Sequence, residues 1–418
     1  MSTAATAPAM RTPADARRAL NDPWLYLLYL ALYLTPLGTI GELAELLRGP
    51  GEDFSLSTAT TPAALKVIKD LILWTFLLLM IRKSVPRADF LTGTIWVAAL
   101  CAVTGAAVAL SVANGADPRT LASGFRWIFP LFLVGFAVGR IGDADLRIVT
   151  RIMGHLFILN FVLQLFQAFL MPSYFGSIGF YHTRNPGFFA IPNTAGLFVV
   201  LCAYLQLYFS GQQQSRGSMW MYGLGAFATG SSAGILGIIC LYGHYATRRY
   251  RALSIVLFPL IVLIFGLLFY QYSTATRGEG SLDETALTRL GLLQTALSRF
   301  DIVSSEFGQY TNTAVIMASL ERAFVADSLW TALAGNLGML GIAAAGLFTC
   351  LFGVLATISP DRRAFPFFLV FFIASISSTT VEAFPFNFLS ALLFAYFLRS
   401  NQVPGASRLA PRSAHAGA

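Results

Sequence analysis

The sequence predicts an all-α polytopic membrane protein of about 12 transmembrane helices, with one large outer loop that contains an amphipathic helix. Three observations predict it. Of the residues, 56% are apolar and 11% charged, against about 25% charged in a soluble domain. The apolar residues recur in stretches near the roughly 20 residues that a helix needs to cross a bilayer. The cations sit in short runs between those stretches. The net charge of +8 therefore marks loop ends, with no nucleic-acid partner implied.

Taken in order, residues 1–22 hold Arg11, Arg17 and Arg18 without an apolar core, and read as a cytoplasmic tail with no cleavable signal. Nine spans follow within 23–270, at 23–45, 64–81, 90–113, 121–139, 148–171, 188–209, 218–231, 233–246 and 252–270. A short outer loop, 172–187, lies among them. The seventh and eighth spans are short and meet through TGSSAGILG (229–237), so they read as two spans or as one interrupted hairpin. A Gly/Ser turn there requires protein to cover its free backbone groups. The large outer loop occupies 271–327. Spans at 328–357, 364–379 and 386–398 complete the membrane part, and 399–418 reads as a disordered cytoplasmic tail. Cys101, Cys202, Cys240 and Cys350 fall within spans without CxxC spacing, so buried free thiols are expected, with neither a disulfide nor a metal site. His155 and His244 are expected to be buried structural residues.

Orientation follows from the basic residues. With the N-terminus in the cytoplasm, 18 of the 28 Lys and Arg fall on the cytoplasmic side, 7 on the outer side, and Lys66, Lys69 and Arg126 within spans. This bias places both termini in the cytoplasm, and the chain is expected in a bacterial inner membrane as a multi-pass protein. Loops 172–187 and 271–327 then face outward. In the larger one, Ser281 and Glu284 form a capping-box pattern. Leu287, Leu290, Leu293, Leu297 and Phe300 recur behind it at helical spacing, which predicts an amphipathic helix over 283–300. Arg289 flanks its apolar stripe, whereas Arg299 points away.

Charges within spans cost about 2.5–3.5 kcal/mol each at a helix centre. Lys66, Lys69 and Asp70 share a helical face, and Lys66 and Asp70 are spaced to pair. Lys66 and Arg126 read as snorkelling to the interface, or else Lys69, Arg126 and Arg184 converge at the outer surface as a site for a polyanionic lipid headgroup. Arg184 is the only formal charge in its loop. Pro192 and Asn193 would open the next helix with free backbone N–H groups facing outward. A guanidinium beside such amides suits pyrophosphate, and the bland alternative is an interfacial anchor.

Arg184-x-x-Gly187-Phe188, followed by Pro192-Asn193, resembles the O-antigen ligase and Wzy-type polysaccharide polymerase superfamily. So do ATGSSAGILGI (228–238), TRLGLLQTAL (288–297) and VADSLWTALAGNLGMLG (325–341), in the same order and on the same side. The resemblance covers roughly residues 180–345. It implies transfer of a glycan from an undecaprenyl-pyrophosphate carrier to an acceptor hydroxyl at the periplasmic face, with no nucleotide, metal or other cofactor. By position it makes Arg184 and Arg289 the catalytic arginines that hold the pyrophosphate. Arg277, His182, Lys69 and Arg126 are further substrate-binding candidates. Three positions depart from the family pattern. Ser232 and Ala233 stand where it has Arg, Leu293 replaces its Trp, and Ala326 occupies the place of the ligase His.

Pyrophosphate is a good leaving group, so positioned arginines can stabilise its departure without an acid. The acceptor hydroxyl calls for a base, for which Asp327, Glu306, His182 and Glu321 lie on the right side. Asp327 stands first among them, with a plain helix cap as its alternative role. The sequence thus points to a polymerase of lipid-linked oligosaccharide repeats, with the bilayer, a chain-length regulator and a flippase as further partners. A ligase of the same superfamily is the nearest rival, and a lipid-linked sugar flippase or transporter the next. No inverted repeat of the kind transporters carry is visible.

Overall fold

The computed structural model describes residues 23–34, 63–170, 185, 187–189, 192–210, 216–247, 301–311, 328–378, 380 and 382–399. It also describes isolated helical positions at 260, 263, 264, 267, 271, 291 and 294. The helices are α1 Pro23–Leu34, α2 Ala63–Ile81, α3 Arg87–Ala113, α4 Pro118–Ala137, α5 Asp143–Leu170 and α6 Pro192–Phe209. They continue with α7 Arg216–Thr229, α8 Ser232–Thr247, α9 Leu329–Ile358, α10 Ala364–Ser377 and α11 Phe386–Phe397. The described residues form no strand, and α3, α4, α5, α6 and α9 are long and apolar enough to cross a membrane. This is the pattern of a multi-pass membrane protein. The ninth span expected at 252–270 lies mostly outside the described residues.

Helix α6 is central, with every residue from 197 to 205 buried. Helices α9, α10 and α11 pack through rings: Phe394 lies 4.7 Å from Phe352, 4.9 Å from Phe367 and 4.6 Å from Phe371 between centroids. Such edge-on pairs add specificity that aliphatic contacts lack. Ile95, Leu110, Leu347, Leu351 and Val354 are exposed on α3 and α9. In water such a belt would be a liability; in hydrocarbon it is the solvent-facing surface.

The helix ends sort into two groups. At one end Arg363 contacts Asp361 and, at 2.9 Å, Asp143, while Arg399 approaches Asp143 at 3.5 Å and the Tyr396 hydroxyl donates to it. Tyr204 donates to the Arg363 carbonyl. Burial works against the Arg363 charge, but hydrogen bonding and charge from Asp361, with Tyr396 and Asp143, override it and raise its pKa. One network thereby ties α5, α6, α10 and α11 together. The opposite end carries the turn at Gly230, the segment 301–311 and the described residues 382–385 before α11. Reporter fusions after Arg87 and Arg249 are expected to read cytoplasmic, and fusions after Arg184 and Arg289 the opposite side. A cytoplasmic reading at Arg289 would reverse the orientation.

Several expectations need correction. The helix of the sixth span begins at Pro192, as the Pro192-Asn193 pair indicated, and 187–189 ahead of it form a turn clasped by neighbouring side chains. The span at 328–357 is one element in sequence but is broken at Gly338 (φ 74°), where a non-helical residue interrupts α9. All four cysteines are free, but only Cys202 and Cys240 are buried. Cys101 and Cys350 face outward from α3 and α9, where lipid accepts a thiol as readily as a protein core does. His155 is exposed on α5, and His244 is half-buried and bonded to Tyr208 at 2.9 Å.

Candidate functional site

Three amides on one face of α5, Asn160, Gln164 and Gln167, are all buried. Gln167 donates to the Gly187 carbonyl at 2.7 Å and accepts from the Gly187 amide at 2.8 Å. Asn160 Oδ1 accepts from the Phe188 amide at 3.0 Å. The side chains thus serve a loop backbone that has no secondary structure of its own, which burial demands. Phe188 and Phe189 pin the same loop by packing on Phe198, at 5.6 and 5.0 Å between centroids.

The α7–α8 hairpin meets this loop. The Asn185 amide donates to the Ala228 carbonyl at 2.7 Å, and Gln164 donates to the Gly225 carbonyl at 3.2 Å. At the turn, Gly230 has φ 60°, a left-handed conformation that glycine adopts without strain. Thr229 and Ser231 are buried, and the turn satisfies itself. The Gly230 amide reaches the Phe227 carbonyl, and the Ser231 amide reaches Thr229 Oγ1. Ser231 Oγ accepts from the Gly234 amide at 3.2 Å and donates to Asn193 Oδ1 at 3.1 Å. The turn is therefore covered, as a Gly/Ser turn in a membrane protein must be. Helices α6 and α8 start side by side, with Gly196 and Gly234 in backbone contact. The segments after Arg184 and around Thr229, some 40 residues apart in the chain, are in direct contact.

A second group surrounds residues 301–311, which run as an irregular strap along the first part of α9. The Met339 and Leu340 amides, freed by the break at Gly338, donate to the Asp301 and Ile302 carbonyls at 3.2 and 3.1 Å. Asn336 is buried; its Oδ1 accepts from the Gly308 and Tyr310 amides, and its Nδ2 donates to the Tyr310 and Ala332 carbonyls. The Phe307 amide donates to Ser111 Oγ at 2.9 Å, and its ring packs with Phe125 at 5.6 Å. Ser123 and Thr311 bond to each other through their hydroxyls. The Tyr310 hydroxyl donates to Glu306 Oε2 at 2.5 Å.

A third group holds the charges within helices. Arg126 Nε lies 3.2 Å from Asp70 Oδ2, with each side chain about a third exposed. Lys69 Nζ sits 4.7 Å from the centre of the Phe384 ring. The described partner of Asp70 is thus Arg126, across the α2–α4 contact; the side chain of Lys66, to which sequence spacing pointed, lies outside the described residues. An ion pair between helices offsets the insertion cost of both members.

Of the sequence-derived site residues, Lys69 and Arg126 are described and lie in one neighbourhood, joined through Asp70. Arg184, Arg289, Asp327, His182 and Arg277 lie outside the described residues. Gly291 and Gln294, the described positions of the amphipathic helix expected at 283–300, are helical. The cap of α9 is Ser328, which accepts from the Thr331 amide while Thr331 accepts from the Ser328 amide. The capping role considered for Asp327 belongs to Ser328. Sequence reasoning missed the α5 amides, Asn336 and the strap. The signal for the amides was three uncharged polar residues on one face of an apolar helix. No family model matches this chain, and neither a curated protein nor a solved structure matches it.

Proposed function

We propose that this chain is a glycosyltransferase that polymerises oligosaccharide repeats carried on polyprenyl pyrophosphate, working at the outer face of the membrane. The observation that supports the reading is the meeting of two motif segments. The backbone just after Arg184 is clasped by Asn160 and Gln167, and it touches the Ala228–Ser231 turn. Rigid support of this kind is what a guanidinium needs to hold a pyrophosphate in place.

In this reading Arg184 and Arg289 grip the pyrophosphate and stabilise the charge that develops as it departs. Lys69 and Arg126, with net positive charge after Asp70 is counted, receive the lipid phosphate from the membrane side. Asp327, Glu306, His182 and Glu321 are the candidates for the base that takes the acceptor proton. Ala326 at the place of the ligase histidine favours polymerase over ligase.

Purified protein supplied with lipid-linked repeat units, without nucleotide or divalent metal, is expected to give a ladder of chain lengths. In a strain lacking the protein, single lipid-linked units on the outer leaflet should be the longest product. Long lipid-linked chains in that strain would replace the polymerase by a ligase. Single units trapped on the cytoplasmic leaflet would replace it by a flippase.

A further inference from the structure

Irregular backbone beside a membrane helix survives only where each of its polar groups is answered, and the strap 301–311 meets that demand closely. The carbonyls of Asp301 and Ile302 bond the amides freed at Gly338. The amides of Glu306, Phe307, Gly308 and Tyr310 are taken by Ser304 Oγ, Ser111 Oγ and the Asn336 side chain. Ser304 Oγ in turn donates to the Gly335 carbonyl at 2.5 Å. At Gly338 an added Cβ would lie within 3 Å of the Asp301 carbonyl and the Ser304 amide, so the strap also occupies the space that only a glycine leaves. The strap is tied to α3, α4 and both parts of α9. Glu306 stands on it, half-buried, with one carboxylate oxygen held by the Tyr310 hydroxyl. Glu306 is one of the four candidate bases, and both its carboxylate and its backbone amide are held by hydrogen bonds.

We propose that Glu306 is the base of the transfer and that Asn336 is the positioning residue that latches its strap in place. This rests on the polymerase reading. The acceptor hydroxyl oxygen forms a bond to the anomeric carbon while the bond from that carbon to the pyrophosphate oxygen breaks. The pyrophosphate leaves with the bonding pair, and the hydroxyl proton passes to the Glu306 carboxylate. A base on a fixed element, oriented by a second hydrogen bond, is what proton transfer requires.

The test uses the full-length protein in detergent with lipid-linked repeat units. Glu306→Gln keeps an acceptor for Tyr310 but loses the basic carboxylate, and elongation is expected to fall about a hundredfold at unchanged thermal stability. In Glu306→Ala, added formate should restore part of the rate, which it would not do for a side chain with only a structural role. Asp301→Asn, which removes an exposed carboxylate from the same strap and leaves the base in place, should stay within about twofold of wild type. Asn336→Ala should slow elongation and make cleavage after Glu306 by a glutamyl endoprotease about tenfold faster, as expected for lost hydrogen bonds. Ser304→Ala, a milder change on the strap, should move both readouts in the same direction if Asn336→Ala fails to fold. Full activity of Glu306→Gln, or loss of activity in Asp327→Asn alone, would overturn the assignment of the base and leave the polymerase reading standing. Unchanged cleavage in both strap variants, or faster cleavage with normal elongation, would overturn the latch. Wild-type protein that makes no ladder would remove the polymerase reading and the base with it, while the cleavage comparison would still judge the latch.

Discussion

Replacing Arg184 by alanine is expected to abolish polymer while leaving the protein inserted and at its normal level. The loss in turnover should be about 100- to 1,000-fold, the usual effect of removing one pre-positioned donor from a developing anion. The loop just beyond Arg184 takes its shape from Gln167, Asn160, Phe188 and Phe189, all of which remain in the variant. A folding defect is therefore not expected, and thermal stability of the purified variant checks this directly. Lysine at the same position should recover only part of the rate, since a point charge cannot form the two parallel bonds of a guanidinium. Arg289→Ala should behave in the same way. Arg299→Ala, on the opposite side of the expected amphipathic helix, should be silent. Normal polymer from Arg184→Ala would remove the central residue of the proposed site.

What could be read from the sequence divides along physical lines. Helices α3, α4 and α5 lie on stretches visible as apolar runs bounded by charge, because hydrocarbon penalises polar residues strongly enough to mark the sequence. The hairpin turn at Gly230 was legible as a turn, and so was its need for cover. Its partners were not, because Asn193 and Asn185 lie far from it in the chain. The same holds for Asp70. Spacing within one helix suggested Lys66, whose side chain is not among those described, and could not show Arg126, which tertiary packing brings to it. The break at Gly338 was hidden in an unbroken apolar stretch, LGMLGIAAAG. Nothing local marks it, since its cause is the approach of the strap some thirty residues earlier. The strap itself reads as ordinary polar loop, and its tertiary hydrogen bonds, among them those to Asn336 and Ser111, distinguish it.

The close crossing of α6 and α8 gives the largest structural effect we expect. A Cβ at Gly234 would lie 2.7 Å from Gly196 Cα, and one at Gly196 would lie 2.6 Å from Ser231 Cβ. Backbone cannot move aside as a flexible side chain can, so the helices must separate. Small residues at such crossings are what allow membrane helices to associate closely. Gly234→Val should therefore destabilise the protein by about 3 kcal/mol, the upper part of the usual range for overpacking. Separation would also pull Ser231 from Asn193 and draw the turn away from the loop after Arg184, so elongation should fail along with stability. Gly105 and Gly346 provide the control, since a Cβ at either meets nothing within 4 Å. Gly105→Val and Gly346→Val should match wild type in detergent melting and in polymer made, because their new methyl groups enter lipid. If Gly234→Val melted with the two controls, α6 and α8 would not cross at Gly196, and the two motif segments would lose the contact that unites them.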